Sequence, residues 1–115
     1  MALAYANIGF VHSARGDIEE AVEFHRMALR LQTEIVHTNP TYIFVTDLSG
    51  TQRILGTFYD KLGDQQKAIE SFEAAAETLE TRIESDDGPL KLLNRIRENI
   101  DRLQDKAIAL ERDSD

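Results

Sequence analysis

The sequence has no cysteine, only two prolines and no hydrophobic run that approaches membrane-spanning length. Without cysteine the chain can form no disulfide and offers neither a thiolate nucleophile nor a cysteine-ligated metal. A membrane-spanning helix needs about 20 consecutive apolar residues. Residues 1–15 also lack the basic start, apolar stretch and cleavage site of a secretory signal. We therefore predict a cytoplasmic chain without a membrane partner.

Positive charge is scarce, because 13 Lys and Arg stand against 21 Asp and Glu and give a formal net charge of -8. Phosphate binding depends on clustered Lys and Arg, so nucleic acid is not an expected partner. The 42% hydrophobic and 30% charged residues are typical of a globular chain. A length of 115 residues is sufficient for one compact unit.

Proline and glycine mark the ends of the helices. Pro40 and Pro89 stand between long runs rich in Ala, Leu, Glu, Gln and Arg, and proline tolerates the first helical turn, so both predict helix starts. Gly16-Asp17 and Gly63-Asp64 predict corners between helices, where glycine takes a left-handed conformation and aspartate caps the next helix. Glu20, three residues after Asp17, has the spacing of a capping box.

These breaks predict five helices, over residues 2–15, 18–37, 41–62, 65–84 and 89–112. Apolar residues recur every three or four positions within them, which gives each helix one buried stripe. Gly50 is expected to kink or split the third helix, since glycine inside a helix costs about 1 kcal/mol relative to alanine. No segment favours a strand, so the predicted fold class is all-α.

Two stretches that lie 47 residues apart share the same internal spacing. Ile8-Gly9, His12, Gly16-Asp17, Ala21, His25 and Ala28 recur as Leu55-Gly56, Tyr59, Gly63-Asp64, Ala68, Phe72 and Ala75. A unit of helix, corner and helix is therefore duplicated. Within each unit we expect Gly9 and Gly56 to face Ala21 and Ala68, so that the two helices approach closely.

These residues resemble the tetratricopeptide repeats, whose pattern is a large aromatic, then Leu-Gly, Tyr, Gly-Asp, Ala, an aromatic, Ala and Pro. The second unit matches at Leu55, Gly56, Tyr59, Ala68, Phe72 and Ala75, and the first matches or nearly matches at Tyr5, Gly9, Ala21 and Ala28. His12 and His25 stand where aromatics are usual, and we expect them to be packed rings rather than a base or a ligand pair.

The resemblance implies antiparallel helix-turn-helix repeats stacked as a short right-handed α-solenoid. Two repeats, at residues 1–38 and 39–86, would precede a segment at 87–115 that is a capping helix or the first helix of a third repeat. The period exceeds the usual length of about 34 residues by about 13. It is similar to extended repeats in some bacterial multidomain signalling and regulatory proteins. We expect the chain to be a fragment of a longer protein. Its exposed repeat ends would allow two copies to form a homo-oligomer.

The resemblance also implies a scaffold that binds a protein or peptide on the concave face lined by the first helix of each repeat. The matching positions are Leu3, Ala6, Asn7, Phe10, Ser13 and Ala14, then Arg53, Thr57, Asp60 and Lys61, and then Asn94, Arg95, Glu98 and Arg102. Phe10 is the leading anchor, because an aromatic on a groove wall can hold an apolar side chain of the partner. The alternatives are that truncation of the repeat stack exposes a former packing residue, or that Phe10 belongs partly to the core.

Residues 90–103 are locally basic, with Lys91, Arg95, Arg97 and Arg102 against Glu98 and Asp101. This strip could receive an acidic peptide or a terminal carboxylate. Intrahelical pairs at a spacing of four, Glu98 with Arg102 and Arg97 with Asp101, are the simpler explanation. The carboxylate clamp of some family members is not expected, since Ala6, Phe10 and Ile54 occupy three of its positions.

No catalytic, cofactor or metal site is expected. Glu34 and His37 have the Glu-x-x-His spacing of di-iron helical bundles, but that site needs a second pair and two further carboxylates. A di-iron enzyme is therefore a distant alternative. The nearer alternative to partner binding is a structural oligomerisation or spacer segment of a larger signalling protein.

Overall fold

The computed structural model describes residues 2–80 and 87–113, and within these ranges it contains five helices and no strand. In chain order these are α1 (Ala2–Ala14), α2 (Ile18–Thr38), α3 (Tyr42–Lys61), α4 (Gln65–Glu80) and α5 (Asp87–Asp113). The predicted all-α class is confirmed. Residues 81–84 of the predicted fourth helix lie outside the described residues. Among the helices described, none combines the length and the apolar character needed to span a bilayer.

The two Gly-Asp corners have the same backbone geometry. Gly16 and Gly63 take left-handed conformations, with φ of 85° and 81°. At each corner the glycine N–H donates to the carbonyl three residues back, at 3.0 Å, and the aspartate N–H donates to the carbonyl five residues back, at 2.9 Å. This is the Schellman pattern, which satisfies the last carbonyls of a helix. The duplicated sequence therefore produces a duplicated turn.

The two aspartates at these corners do not behave alike. Asp64 caps α4 as predicted, because its Oδ1 accepts the Lys67 N–H at 3.1 Å. The predicted cap at Asp17 is wrong, since its side chain accepts no capping hydrogen bond and the capping box with Glu20 is not formed. The Asp17 carboxylate instead lies 3.8 Å from Nδ1 of His12. The carboxylate thus lies near α1 and does not cap the first turn of α2.

Helix α3 starts and continues differently from the prediction. Its cap is Thr41, whose hydroxyl accepts the Phe44 N–H at 3.4 Å, so Pro40 precedes the cap rather than lying in the first turn. Helix α5 begins at Asp87 and does place Pro89 in its first turn. The predicted split at Gly50 is wrong, because α3 is one element. Ser49, fully buried, donates to the Ala75 carbonyl at 2.9 Å and fastens this part of α3 to α4.

Each helix packs mainly on the next one in the chain, from α1 on α2 through to α4 on α5. One buried cluster joins α4 to α5 and contains Ala68, Phe72, Ala75, Ala76, Leu79, Leu93, Ile96 and Leu103. A second joins α2 to α3 and contains Ala21, Val22, Leu55 and Phe58. Tyr59 packs against both clusters. The core is therefore a continuous stack of helix pairs, as expected for helical repeats.

Gly9 and Gly56 lie where the two helices of each pair approach. A Cβ atom on Gly9 would lie 2.3 Å from Nδ1 of His25 and 3.2 Å from the carbonyl oxygen of Ala21. On Gly56 it would lie 2.9 Å from Cε2 of Phe72. The predicted close approach is present, but the nearest groups are the rings of His25 and Phe72 rather than the methyl groups of the two alanines. Equivalent residues thus make equivalent contacts in the two repeats.

Candidate functional site

A groove of about 460 Å³ opens between α1 and α3, with the C-terminal half of α2 as its third side. Helix α1 contributes Ala2, Leu3, Ala6 and Phe10, α2 contributes Gln32 and Ile35, and α3 contributes Phe44, Thr46, Asp47, Gly50, Thr51 and Ile54. Most of these side chains are apolar. The size is within the range of about 300–1,000 Å³ that is usual for ligand pockets.

Two large apolar side chains form the α1 wall of this groove. Leu3 is 73% exposed and Phe10 is 46% exposed. They lie seven residues apart and therefore share one face of the helix. The Phe10 ring also meets the ring of His25 edge-on, with centroids 4.9 Å apart and planes at 81°. Phe10 thus packs against His25 on its inner side and is exposed on its outer side, so it belongs partly to the core.

His25 connects the groove wall to the core. Its ring is fully buried and makes a second edge-on contact with Phe58, at 5.0 Å. Nδ1 donates to the Ala21 carbonyl at 3.0 Å, and Nε2 is buried without a hydrogen-bond partner among the described residues. Burial lowers the pKa of His25 below its ordinary value of 6.5, and the bond to Ala21 opposes this in part. His25 is therefore a neutral packed ring.

His12 is also a packed ring. It stacks on Phe24 with centroids 5.2 Å apart and planes at 9°. In the first repeat the imidazoles of His12 and His25 thus take the packing places that Tyr59 and Phe72 hold in the second. His12 also lies 3.8 Å from the Asp17 carboxylate, and neither histidine lines the groove between α1 and α3.

The charged residues predicted on the α3 and α5 faces pair with each other. Asp60 lies 3.5 Å from Arg102 and 4.0 Å from Lys106 of α5, and Arg97 pairs with Glu80 of α4. The predicted intrahelical pairing along α5 is wrong, because these basic side chains reach acids on neighbouring helices. They fasten α5 to the stack, and part of the basic strip is therefore already neutralised.

The remaining predicted groove residues lie outside the groove lining. Asn7, Thr57, Lys61 and Arg95 are exposed, and Ser13 and Arg53 are half-buried. The structure thus brings together Leu3, Ala6 and Phe10 from the predicted set, while Asp60 and Arg102 form a separate ion pair.

Sequence reasoning missed the contributions of α2 and of the N-terminal half of α3. Gln32 and Ile35 have no counterpart in the repeat pattern, so nothing in that pattern indicates them. Asp47 could have been predicted as a groove residue. Asp47, Ile54 and Lys61 follow each other at intervals of seven residues and therefore lie on one face of α3.

Glu34 and His37 lie exposed on the last turns of α2. Over residues 2–80 and 87–113 the structure contains no group of three His, Asp or Glu side chains arranged to hold a metal ion. The second pair that a di-iron centre requires is not found near them.

A second cleft, of about 450 Å³, lies where α2 begins and α3 ends. Its rim carries Glu19, Glu20 and Glu23 together with Arg26 and Lys67. Arg26 pairs with Glu23 at 3.7 Å. These mixed charges are well solvated, so this cleft offers less to an apolar partner than the groove between α1 and α3.

Two family models, both described as tetratricopeptide repeat, match the chain, over residues 1–37 and 54–78. Each matched segment contains a Gly-Asp corner with a left-handed glycine. Each also contains a helical glycine that lies against an aromatic ring, Gly9 against His25 and Gly56 against Phe72. The chain belongs to the tetratricopeptide-repeat family. Repeats of this family generally mediate protein-protein interaction, and the family is typically a non-enzymatic scaffold. No curated protein matches the chain.

Residues 38–53 separate the two matched segments. They hold the end of α2, the connection and the first half of α3. Five of the six α3 residues in the groove lining come from this stretch: Phe44, Thr46, Asp47, Gly50 and Thr51. The extra length of the repeat therefore supplies most of one groove wall.

Proposed function

We propose that the chain is an interaction module that binds a partner protein or peptide in the groove between α1, α2 and α3. The observation that carries this proposal is the pair Leu3 and Phe10, which present large apolar surfaces to water inside a concave site. Exposed apolar surface of this kind is typical of protein-binding sites. A partner side chain placed between the two would remove both from water.

The proposal keeps the repeat boundaries at 1–38, 39–86 and 87–115, with the first helices forming the concave face. Asn7, Ser13, Arg53, Thr57, Lys61 and Arg95 are proposed as contacts for parts of the partner that extend beyond the groove. The proposed role needs no catalysis, cofactor, metal ion, membrane or nucleic acid, and it places the chain in the cytoplasm. The net charge of -8 supports the exclusion of nucleic acid.

A matched pair of variants tests the groove. Leu3 and Val11 are both exposed aliphatic residues on α1, at 73% and 52%, but Val11 is not part of the groove lining. A partner recovered from lysate of the source organism by the wild-type chain should also be recovered by Val11→Ser and should be lost with Leu3→Ser. Circular dichroism checks that both variants are folded. Equal recovery by Leu3→Ser would overturn the proposal.

Self-association is the second candidate function, and the composition of α1 favours it. This helix contains no Asp, Glu, Lys or Arg over its 13 residues, and it exposes Ile8 and Val11 outside the groove. A helix that is apolar on several sides is usually buried. In a spacer or oligomerisation segment of a larger signalling protein, two copies would pair through α1. Sedimentation should then show a dimer that Val11→Lys converts to a monomer, whereas a wild-type monomer at all concentrations would dismiss this candidate.

A further inference from the structure

We infer that the segment bound in the groove is an amphipathic helix with an apolar stripe flanked by a Lys or Arg that pairs with Asp47. The inference rests on the proposed function and narrows the chemical class of the partner. It draws on the hydrogen-bonding capacity of the groove, its shape and its charge.

The groove has few free groups for hydrogen bonds to a peptide backbone. Four of its lining residues have polar side chains, namely Gln32, Thr46, Asp47 and Thr51. The Thr46 hydroxyl donates to the Tyr42 carbonyl at 2.7 Å and can therefore only accept from a partner. Oε1 of Gln32 has no hydrogen-bond partner among the described residues but is itself buried, and Thr51 is only 5% exposed. An extended peptide brings an N–H and a C=O at almost every residue, and most would lose water here without gaining a partner. A helix satisfies these groups internally.

The shape of the groove also suits a helix. Two helices form its walls and a third forms its floor, so the ridges of an added helix can lie in the channel between them. Leu3 and Phe10 are seven residues apart, or about 10 Å along α1. Two turns of a partner helix, with apolar side chains at i, i+3 or i+4, and i+7, cover the same distance.

Gly50 leaves a depression in the α3 wall of the groove, opposite Leu3 and Phe10, because it has no side chain. Apart from its chain neighbours and the adjacent backbone of α3, no described atom lies within 4 Å of the position that a Cβ atom would take there. A large apolar side chain of the partner can therefore approach the backbone of α3 at this residue. The first half of α3 lies outside both matched repeat segments, so this wall belongs to the extended length of the chain and not to the repeat motif.

Asp47 is the one charged residue of the groove lining. It is exposed, and it makes no ion pair or side-chain hydrogen bond with the residues that the structure describes. A carboxylate on the rim of an apolar groove disfavours a like-charged partner and attracts a basic one. The net charge of -8 acts in the same direction at longer range. Lys or Arg beside the apolar stripe is therefore the complementary group.

Two display libraries of equal length test the inference with the full chain as bait. One presents a stable helix of about 16 residues, a little over four turns, with one face randomised, and the other presents unstructured peptides. Clones that also bind Leu3→Ser are removed, so that the remaining binders depend on the groove. We expect the helical library to dominate, with Lys or Arg enriched at one position beside the apolar stripe.

A charge exchange then tests Asp47 on the strongest helical binder. Asp47→Lys should weaken binding by about threefold to tenfold, as expected when an exposed attraction becomes a repulsion. Replacing the peptide's basic residue by Glu should restore the affinity for this variant. Glu73→Lys, an exposed change on α4 with the same effect on net charge, is the matched control and should leave the affinity within about twofold.

Each remaining outcome overturns part of the account. If unstructured peptides dominate and still require Leu3, the inference of a helix is wrong and the proposed groove function stands. If the helical binders respond equally to Asp47→Lys and Glu73→Lys, the pairing with Asp47 is wrong. If neither library yields a binder that requires Leu3, the proposed function fails together with the inference.

Discussion

Two glycines of α3 allow a stringent test of how the helices pack. Gly50 and Gly56 lie six residues apart in the same helix, and neither has a positive φ. Replacing each by alanine makes the same chemical change and gains the same intrinsic preference for helix, about 1 kcal/mol. The two sites differ in what the new methyl group meets.

At Gly50 the methyl group meets open space, so Gly50→Ala should raise the free energy of unfolding by about 0.5–1 kcal/mol. At Gly56 it would lie 2.9–3.0 Å from three carbon atoms of the Phe72 ring. That ring is only 1% exposed and has little room to move. Overpacking of this kind costs about 1–3 kcal/mol, which cancels or exceeds the helical gain. Gly56→Ala should therefore be less stable than Gly50→Ala by about 1–3 kcal/mol.

Urea denaturation followed by far-UV circular dichroism measures this difference directly. The transition midpoint should shift upward for Gly50→Ala, and it should stay unchanged or shift downward for Gly56→Ala. In a Phe72→Leu background the penalty of Gly56→Ala should shrink, because the obstructing ring is gone. Equal stabilisation by the two alanines would refute the close packing of α3 against α4.

Three further changes address other parts of the stack. Ala68→Leu should lower stability by about 1–3 kcal/mol, because Ala68 is fully buried between helices, and an unchanged thermal midpoint would contradict the packing. Ser49→Ala should cost about 0.5–1.5 kcal/mol, since the Ala75 carbonyl loses its interhelical donor, and a stability equal to wild type in urea would show that this bond contributes nothing. The pKa of His25 is lower in the folded chain than in the unfolded chain. As the pH drops below about 6.5, the unfolded chain therefore takes up this proton more readily, and the free energy of unfolding falls. His25→Phe should remove that part of the pH dependence, and an unchanged slope of stability against pH would assign it to other groups.

The helical framework could be predicted because its signals are local. Glycine readily takes the left-handed conformation that ends a helix, and both Gly-Asp corners form as expected. Capping was predicted less well. Asp17 and Asp64 each follow the corner glycine, so both were expected to cap a helix, but only Asp64 does. Their neighbours differ: Asp17 lies 3.8 Å from His12, where the second repeat has Tyr59, and Asp64 lies 4.0 Å from Lys67, where the first repeat has Glu20.

The groove could be predicted only on one side. Leu3 and Phe10 follow from their positions in the repeat motif, and both line the site. Gln32 and Ile35 enter it because the lengthened α2 reaches the space between the two first helices. That placement depends on how the repeats stack across a 47-residue period, and no local pattern encodes it. Beside Gly50, α3 is likewise joined to α4 by the Ser49 hydrogen bond to Ala75, a contact between residues 26 apart that no local pattern encodes.

Isothermal titration calorimetry of one purified partner against wild type, Leu3→Ser and Val11→Ser shows whether partners bind in the groove between α1, α2 and α3. Because a buried leucine contributes about 1.5–3 kcal/mol, Leu3→Ser should weaken binding by about tenfold or more, and Val11→Ser should stay within about twofold of wild type. If Leu3→Ser binds as tightly as wild type while both variants remain folded, the groove is not the binding site.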